Sequence, residues 1–154
     1  MSYKALYEYC QTLKAPIGRN DVLPKVRELS GQGLTYIRAG LDQNVLLGFF
    51  VTAENKNHQF VRQTGGGNVI VIARGLDRFW ERFVLFKEMM HTFDSQFQRT
   101  NTEADLEVLL TDFCATEITG EPSQQFISEQ ACLWMAVGAL CPETTRVDLQ
   151  HHYR

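Results

Sequence analysis

The chain has 154 residues, of which 44% are hydrophobic and 21% are charged, and its formal net charge is −3. This length and composition predict one compact domain, residues 1–154, that needs neither disulfides nor a structural metal to fold. Scattered lysines and arginines exclude direct nucleic-acid binding as an expected function. Without a long apolar run or a signal peptide, we expect a cytoplasmic protein with no membrane contact.

Two helices are predicted within residues 1–31. The first spans Tyr3 to Ala15, where apolar side chains recur at helical spacing. The second follows Asn20 and Asp21, which are typical N-cap residues, and ends at Gly31. These two helices form the N-terminal part of the expected domain.

Residues 33–73 contain short segments rich in β-branched and aromatic side chains, separated by Gly, Asn or Asp. They predict a small antiparallel sheet of three or four strands. The segments are residues 34–40, 44–52, 58–64 and 68–73. The stretch TGGGN before the last segment is interpreted as a flexible hairpin turn, because no Lys-Ser/Thr pair follows it and a strand comes next.

Helical spacing returns in residues 77–141, which predict three helices. They are expected at about residues 77–97, 102–118 and 123–141, with Thr102 as a cap of the second. Residues 142–154 form a polar tail that we expect to fray, with His151 and His152 solvated. Two helices, a sheet and three helices indicate an α+β fold with about five helices.

The cysteines are too widely spaced for a zinc finger, so we expect four buried, reduced thiols. They are Cys10, Cys114, Cys132 and Cys141. Trp80 and Trp134 lie on helical faces and are expected in the core, whereas His58 is expected to be exposed in a loop.

The predicted helix over residues 77–97 carries an apolar stripe that we expect to be core. The stripe consists of Phe79, Phe83, Phe86, Met90, Phe93 and Phe97. Lys87 and His91 are four residues apart, so they lie one above the other at the edge of this stripe, and Glu88 lies beside them.

The sequence Lys87-Glu88-Met89-Met90-His91 differs at one ligand position from the zincin pattern H-E-x-x-H. In that pattern two histidines hold zinc from one helix face, and the glutamate activates the bound water. A protonated lysine cannot donate a lone pair to a metal. Since a lone Glu-x-x-His also occurs by chance, His91 could instead be a histidine at the core rim.

Two segments in this order resemble one family. The segment DRFWERFVLFKEMMH, residues 77–91, follows the strand NVIVIA and resembles the motif R-x-R-F-T-L-A-H-E-x-G-H, with Arg82 and Phe83 at the corresponding place. Residues 128–143 resemble E-x-[EQ]-A-N-x-F-A-x-x-L-L-M-P, with Glu129 and Pro142 at matching offsets. On these motifs the chain, from about Val69 to Glu143, resembles the ImmA/IrrE family of bacterial and phage zincin-like metallopeptidases.

The resemblance implies a minimal zincin fold, in which a small sheet packs on the metal-bearing helix and its edge strand holds an extended peptide. It also implies Glu88 as the catalytic base and His91 with Glu129 as metal ligands. Many members of the family cleave or modulate helix-turn-helix repressors. The expected partner is therefore a protein or peptide, such as a helix-turn-helix regulator.

The departures from the family motif leave three hypotheses. Because Lys87 replaces the first histidine, the chain is first interpreted as a pseudo-peptidase without a cofactor, in which the ammonium pairs with Glu88 or Glu129. Alternatively, it is an active peptidase with an altered zinc site, to which Asp94 could add an oxygen. The third hypothesis is a small α+β interaction protein whose resemblance is accidental. The distance from His91 to Glu129 separates the third from the others.

Overall fold

Helices and one small sheet make up the part of the chain that the structure, a computed structural model, describes: residues 3–100, 102–115 and 121–153. In chain order the elements are α1 (Tyr3–Gln11), α2 (Arg19–Ser30), β1 (Leu34–Ala39), β2 (Gly48–Val51), α3 (Gln59–Gln63), β3 (Asn68–Ala73), α4 (Arg78–Met90), α5 (Glu103–Cys114), α6 (Gln124–Leu140) and α7 (Glu143–His152). The predicted α+β class is confirmed, with seven helices among these residues instead of about five.

The sheet has the order β1-β3-β2 and is mixed, so the predicted antiparallel arrangement is wrong. β1 pairs with β3 in parallel, with Leu34 opposite Asn68. β2 pairs with β3 antiparallel, with Gly48 opposite Ile72. All six residues of β3 are buried, as expected for a central strand covered on both faces.

Residues 58–64 were predicted as a strand, but they contain the helix α3. The His58 side chain caps this helix by accepting a hydrogen bond from the Phe60 N–H at 3.4 Å. His58 is accordingly half-buried and not exposed as expected. The glycine-rich stretch that follows joins α3 to β3 and is therefore not a hairpin turn, although Gly65 and Gly66 do have positive φ angles, 84° and 95°.

β3 separates two apolar clusters. Ile70 and Ile72 face the main core, which is formed with α1, α2, α4 and α6. Val69 and Val71 face a smaller cluster beneath α3 on the opposite side of the sheet. Alternating side chains of one strand thus connect both halves of the interior.

The helix α4 is shorter than its apolar stripe suggested. It begins after Asp77, whose carboxylate accepts hydrogen bonds from the Phe79 and Trp80 N–H groups at 2.8 and 2.9 Å, and it ends at Met90. A 3-10 turn, His91–Phe93, follows. Phe79 is 71% exposed and Phe97 is 80% exposed, so the prediction that these two ends of the apolar stripe lie in the core is wrong.

The last helices also differ in part from the prediction. α6 begins after the cap Ser123, close to the predicted start, but residues 142–154 are not a frayed tail because α7 spans most of them. Trp80 and Trp134 are exposed and therefore not core residues. α5 begins after the expected cap Thr102, and its predicted end at residue 118 lies outside the described residues.

The cysteines are not all buried. Cys10 and Cys132 are buried, Cys141 is half-buried and Cys114 is exposed, and all four are free thiols. The two predicted N-terminal helices are present, but α1 ends at Gln11 and not at Ala15. α2 begins after Gly18, whose N–H donates to the Asp21 carboxylate at 2.8 Å.

Candidate functional site

The end of α4 and the first half of α6 bring four of the predicted site residues together. Lys87 and Glu88 lie in the last turn of α4, and His91 caps that helix and starts the 3-10 turn. Glu129 lies on α6, which packs against α4. The motif residues and the distant glutamate therefore form one cluster, which we call the Lys87 cluster: Lys87, Glu88, His91 and Glu129.

The Lys87 ammonium lies between two carboxylates. Its Nζ is 3.0 Å from Glu88 Oε1 and also contacts Glu129 Oε2. Burial lowers the pKa of Lys87, but the two negative charges outweigh burial and hold the pKa above its usual range. Lys87 therefore remains a cation.

The two partners of Lys87 differ in burial, since Glu88 is withdrawn from water and Glu129 is partly exposed. The Glu88 side chain is only 3% exposed. Burial raises the pKa of Glu129, but its contact with His91 and the charge of Lys87 dominate and lower the pKa to about 2. Glu129 is thus an anion at neutral pH, as the ion pair with Lys87 requires.

His91 is buried between two groups of acidic side chains. Its Nε2 lies 3.2 Å from Glu129 Oε1 and 3.8 Å from Glu88 Oε2. The second contact is too long for a hydrogen bond and the first does not have the geometry of one, so this buried nitrogen makes only ionic contacts with the two carboxylates. Its Nδ1 lies 2.7 Å from Asp94 Oδ2. Burial lowers the pKa of His91, but Asp94 and the nearby carboxylates raise it well above its usual value, which favours the imidazolium.

A second set of side chains surrounds the Nδ1 edge of His91. Ser128 Oγ donates a hydrogen bond to Asp94 Oδ2 at 2.8 Å. Cys132 Sγ lies 3.5 Å from His91 Nδ1 and 3.9 Å from Asp94 Oδ1. Of these residues only Asp94 was predicted from the sequence, and Ser128 and Cys132 were not. Their spacing of four residues on α6 was a weak signal, because it places both on one helix face.

The strand β2 covers the cluster from the sheet side. The Phe50 ring stacks on His91, with ring centroids 6.3 Å apart and an interplanar angle of 26°. At Gly48 a Cβ would lie 2.6 Å from Val84 Cγ1 and 2.9 Å from the Val71 carbonyl oxygen. Glycine at this position therefore lets β2 approach α4 closely.

The donor groups on the two edges of His91 differ in how well they fit zinc. On the Nε2 edge, the protonated Lys87 lies between the carboxylates, so His91 and Glu129 do not form an open zinc site. On the Nδ1 edge, His91, Asp94 and Cys132 have ligand atoms within 4.8 Å of one another and could hold a metal ion. Burial raises the pKa of the Cys132 thiol, which must lose its proton to ligate.

A cavity of about 710 Å³ lies elsewhere, where the start of α2 meets the first half of α4. Four arginines line it: Arg19, Arg38, Arg78 and Arg82. Glu81 pairs with Arg38 at 2.5 Å and approaches Arg19 at 3.9 Å. This cavity contains none of the predicted site residues.

Comparisons of the chain with protein-family models, with curated proteins and with solved structures found no match. Among the described residues, no helix combines the length and apolar character that crossing a bilayer requires. The expected tail histidines, His151 and His152, are exposed at the end of α7, away from the Lys87 cluster.

Proposed function

We propose that the chain is a degenerate zincin-like protein, similar to the ImmA/IrrE family, that acts by binding a protein or peptide partner and not by cleaving it. The observation that carries this proposal is the position of the Lys87 ammonium between Glu88 and Glu129. A metal ion would compete for the same two carboxylates, and a protonated amine repels it.

Ion pairing supports a cluster that is stable without metal, because each of its carboxylates has a cationic neighbour. Buried carboxylates need partners, since an unpaired buried charge costs several kcal/mol, of order 3–5. Lys87 and His91 provide two cationic groups facing Glu88, Glu129 and Asp94. The pairing replaces a divalent cation by protein side chains and keeps the fold around α4 intact.

The outer edge of β2 is the part of this site best suited to a peptide. The Ala73 N–H donates to the Leu47 carbonyl at 2.8 Å, so residues 47, 49 and 51 face β3 in the ladder. Gly48 and Phe50 consequently direct their backbone N–H and C=O groups to the outer edge, where no described strand pairs with them. An extended peptide can add a strand there and pass beside the Lys87 cluster.

Metal content and backbone protection together test this proposal. Purified wild-type protein is expected to contain zinc far below one equivalent by mass spectrometry of the metal. The resemblance makes a helix-turn-helix regulator the first partner to try, and its addition should slow hydrogen exchange at the Gly48 and Phe50 amides. Stoichiometric zinc that is lost in His91→Ala would overturn the proposal, as would partner binding that leaves both amides unprotected.

The alternative is a metal-dependent peptidase with an altered site. It is favoured by the grouping of His91, Asp94 and Cys132, which are residue types that zinc accepts. Glu88 would then be the candidate general base. Zinc retained by the wild type, lost in both His91→Ala and Cys132→Ala, and accompanied by peptide cleavage that Glu88→Gln abolishes, would establish this alternative.

A further inference from the structure

A smaller cavity of about 230 Å³ lies past the end of β2, outside the Lys87 cluster. Its lining includes Thr52, Glu54 and Arg99 together with Gly66 and Gly67 of the glycine-rich stretch. None of the four residues of the Lys87 cluster lines this cavity, and the sequence pattern of its glycines predicts only a turn.

Arg99 lines this cavity and uses few of its donors on the residues that the structure describes. Its side chain is 13% exposed, and its single hydrogen bond among the described residues runs from Nη1 to Glu54 Oε2 at 3.4 Å. The Nε is buried without a hydrogen-bond partner. A guanidinium has five N–H donors, and a buried one is costly unless an acceptor meets them.

Thr52 provides a second unmatched group at the same cavity. The residue is 4% exposed, and its Oγ1 is buried with no hydrogen-bond partner. The neighbouring Asn68 is satisfied, since it accepts from the Ala53 N–H at 2.7 Å and donates to Gln32. Two polar groups, Thr52 Oγ1 and Arg99 Nε, thus remain without partners beside one small space.

The glycines keep this space open. Gly66 has φ +95°, which side-chain-bearing residues rarely adopt, and a Cβ at Gly67 would lie 3.1 Å from the Gly33 carbonyl oxygen. Residues with side chains are therefore disfavoured at both positions. The stretch that was interpreted as a turn also shapes the wall of the cavity.

We propose that this cavity binds a carboxylate, and that the Arg99 guanidinium and the Thr52 hydroxyl, whose Nε and Oγ1 atoms are covered in the structure, turn toward it as its donors. A planar carboxylate matches the fork of a guanidinium. A monoanion fits better than a phosphate dianion, because Arg99 is the one cationic side chain in the lining and Glu54 lies beside it. The carboxylate can belong to a small acid or to the C-terminus of a peptide.

Nuclear magnetic resonance of the full chain can test the site directly. Acetate is titrated at low ionic strength while the Arg99 Nε–Hε signal is followed, with phosphate and chloride in parallel. We expect a saturable shift with acetate and weaker effects of the other two anions. Arg99→Gln should abolish binding, whereas Arg62→Gln, which alters an exposed arginine of α3, should leave the affinity unchanged.

Thr52→Val separates binding from folding. It removes an unsatisfied hydroxyl, so the unfolding temperature should stay the same or rise, while acetate binding should weaken about fivefold through the loss of one hydrogen bond. Absence of a saturable acetate shift overturns the proposal. So does unaltered acetate affinity in Thr52→Val, or phosphate binding that is tighter than acetate binding.

Short peptides identify the source of the carboxylate. A peptide with a free C-terminus is compared with its C-terminally amidated form, again by the Arg99 Nε–Hε signal. Tighter binding of the free-terminus peptide than of acetate, lost on amidation, assigns the site to a peptide terminus. Equal affinities for this peptide and acetate assign it to small acids. Equal binding of the free and amidated peptides contradicts carboxylate recognition.

Discussion

At the scale of single residues, Lys87 decides the character of the site. A histidine at this position would continue the zincin pattern, and the lysine instead forms ion pairs with Glu88 and Glu129. Removing one partner of a buried ion pair destabilises a fold more than replacing both partners by apolar residues, because the remaining charge stays desolvated. The lysine therefore has a structural role that a substitution can measure.

We expect Lys87→Met to destabilise the fold by about 2–3 kcal/mol, somewhat less than for a fully buried pair because the Lys87 side chain is 20% exposed. Urea unfolding measures the change. Lys4→Met, which breaks an ion pair with an 80% exposed lysine, should change stability by less than about 0.5 kcal/mol. Adding Glu129→Gln to Lys87→Met should recover part of the loss, and an undiminished stability of Lys87→Met alone would contradict the expectation.

The raised pKa of His91 makes the free energy of unfolding depend on pH between about 6 and 9. Its pKa in the folded state is raised above the value of about 6.5 in the unfolded chain. The stabilisation is thus complete below about pH 6.5 and is lost as the pH rises through the folded-state pKa. Unfolding free energies measured from pH 6 to 9 should fall, and this fall should be smaller in His91→Gln. A wild type with constant stability over this range would refute the assignment of the raised pKa.

Glu129 instead makes the fold lose stability as the pH falls into the acid range. Its pKa is lowered to about 2, so its contribution is present above the unfolded-state pKa of about 4.5 and is lost as the pH falls toward 2. Between these values the wild type should lose stability more steeply than Glu129→Gln does. Denaturant titrations at intervals between pH 2 and 5 measure the two slopes, and equal slopes would show that Glu129 is not the group responsible.

At the scale of elements, local signals predicted some features well and tertiary contacts determined the rest. The cap Thr102, the start of α6 near Ser123 and the apolar strand β3 were visible in the sequence, because helix starts and buried strands have short-range signatures. The parallel pairing of β1 with β3 was not visible in the sequence, since it depends on α3 and on the insertion of β3 between the other strands. Element order alone does not contain that information.

The residues of the candidate site divide in the same way, into those that local sequence predicts and those that depend on tertiary packing. Lys87, Glu88 and His91 are close in sequence, so helical spacing alone brought them together. Glu129 required the family resemblance. Cys132 was missed because its approach to His91 depends on how α6 packs against α4, and sequence spacing on one helix does not specify that packing.

The contact between β2 and α4 makes a prediction at this scale. Gly48→Ala places a Cβ within 3 Å of Val84 and of the Val71 carbonyl, so β2 must shift away from the helix. We expect a loss of about 1–3 kcal/mol, the usual range for overpacking a core. Gly40→Ala is the matched control, because nothing lies within 4 Å of its added Cβ. Similar stabilities of the two variants would contradict the close approach.

At the scale of the whole molecule, α4 connects the sheet to the helix α6. One side of the helix packs against the sheet and the other packs against α6, so the Lys87 cluster lies where these layers meet. Ligand binding to this junction acts on the global unfolding equilibrium, since unfolding separates His91 from Glu129. Metal binding at the cluster is therefore measurable as a change in the stability of the entire fold.

Lys87→His should convert the cluster into a zinc site. The substitution restores the pattern His-Glu-x-x-His, removes the ammonium and frees Glu129, which lies 3.2 Å from the Nε2 of His91. Zinc bound to the folded state alone stabilises it by RT ln(1 + [Zn]/Kd), about 2.7 kcal/mol at a hundredfold excess over Kd. Thermal unfolding with and without zinc should thus show a large shift for Lys87→His and almost none for the wild type or Lys87→Met.

The additional substitution Glu129→Gln should abolish the shift. If Lys87→His gains no stability from zinc, position 87 is not a ligand position, and the interpretation of Lys87 as the replacement of a metal ligand fails.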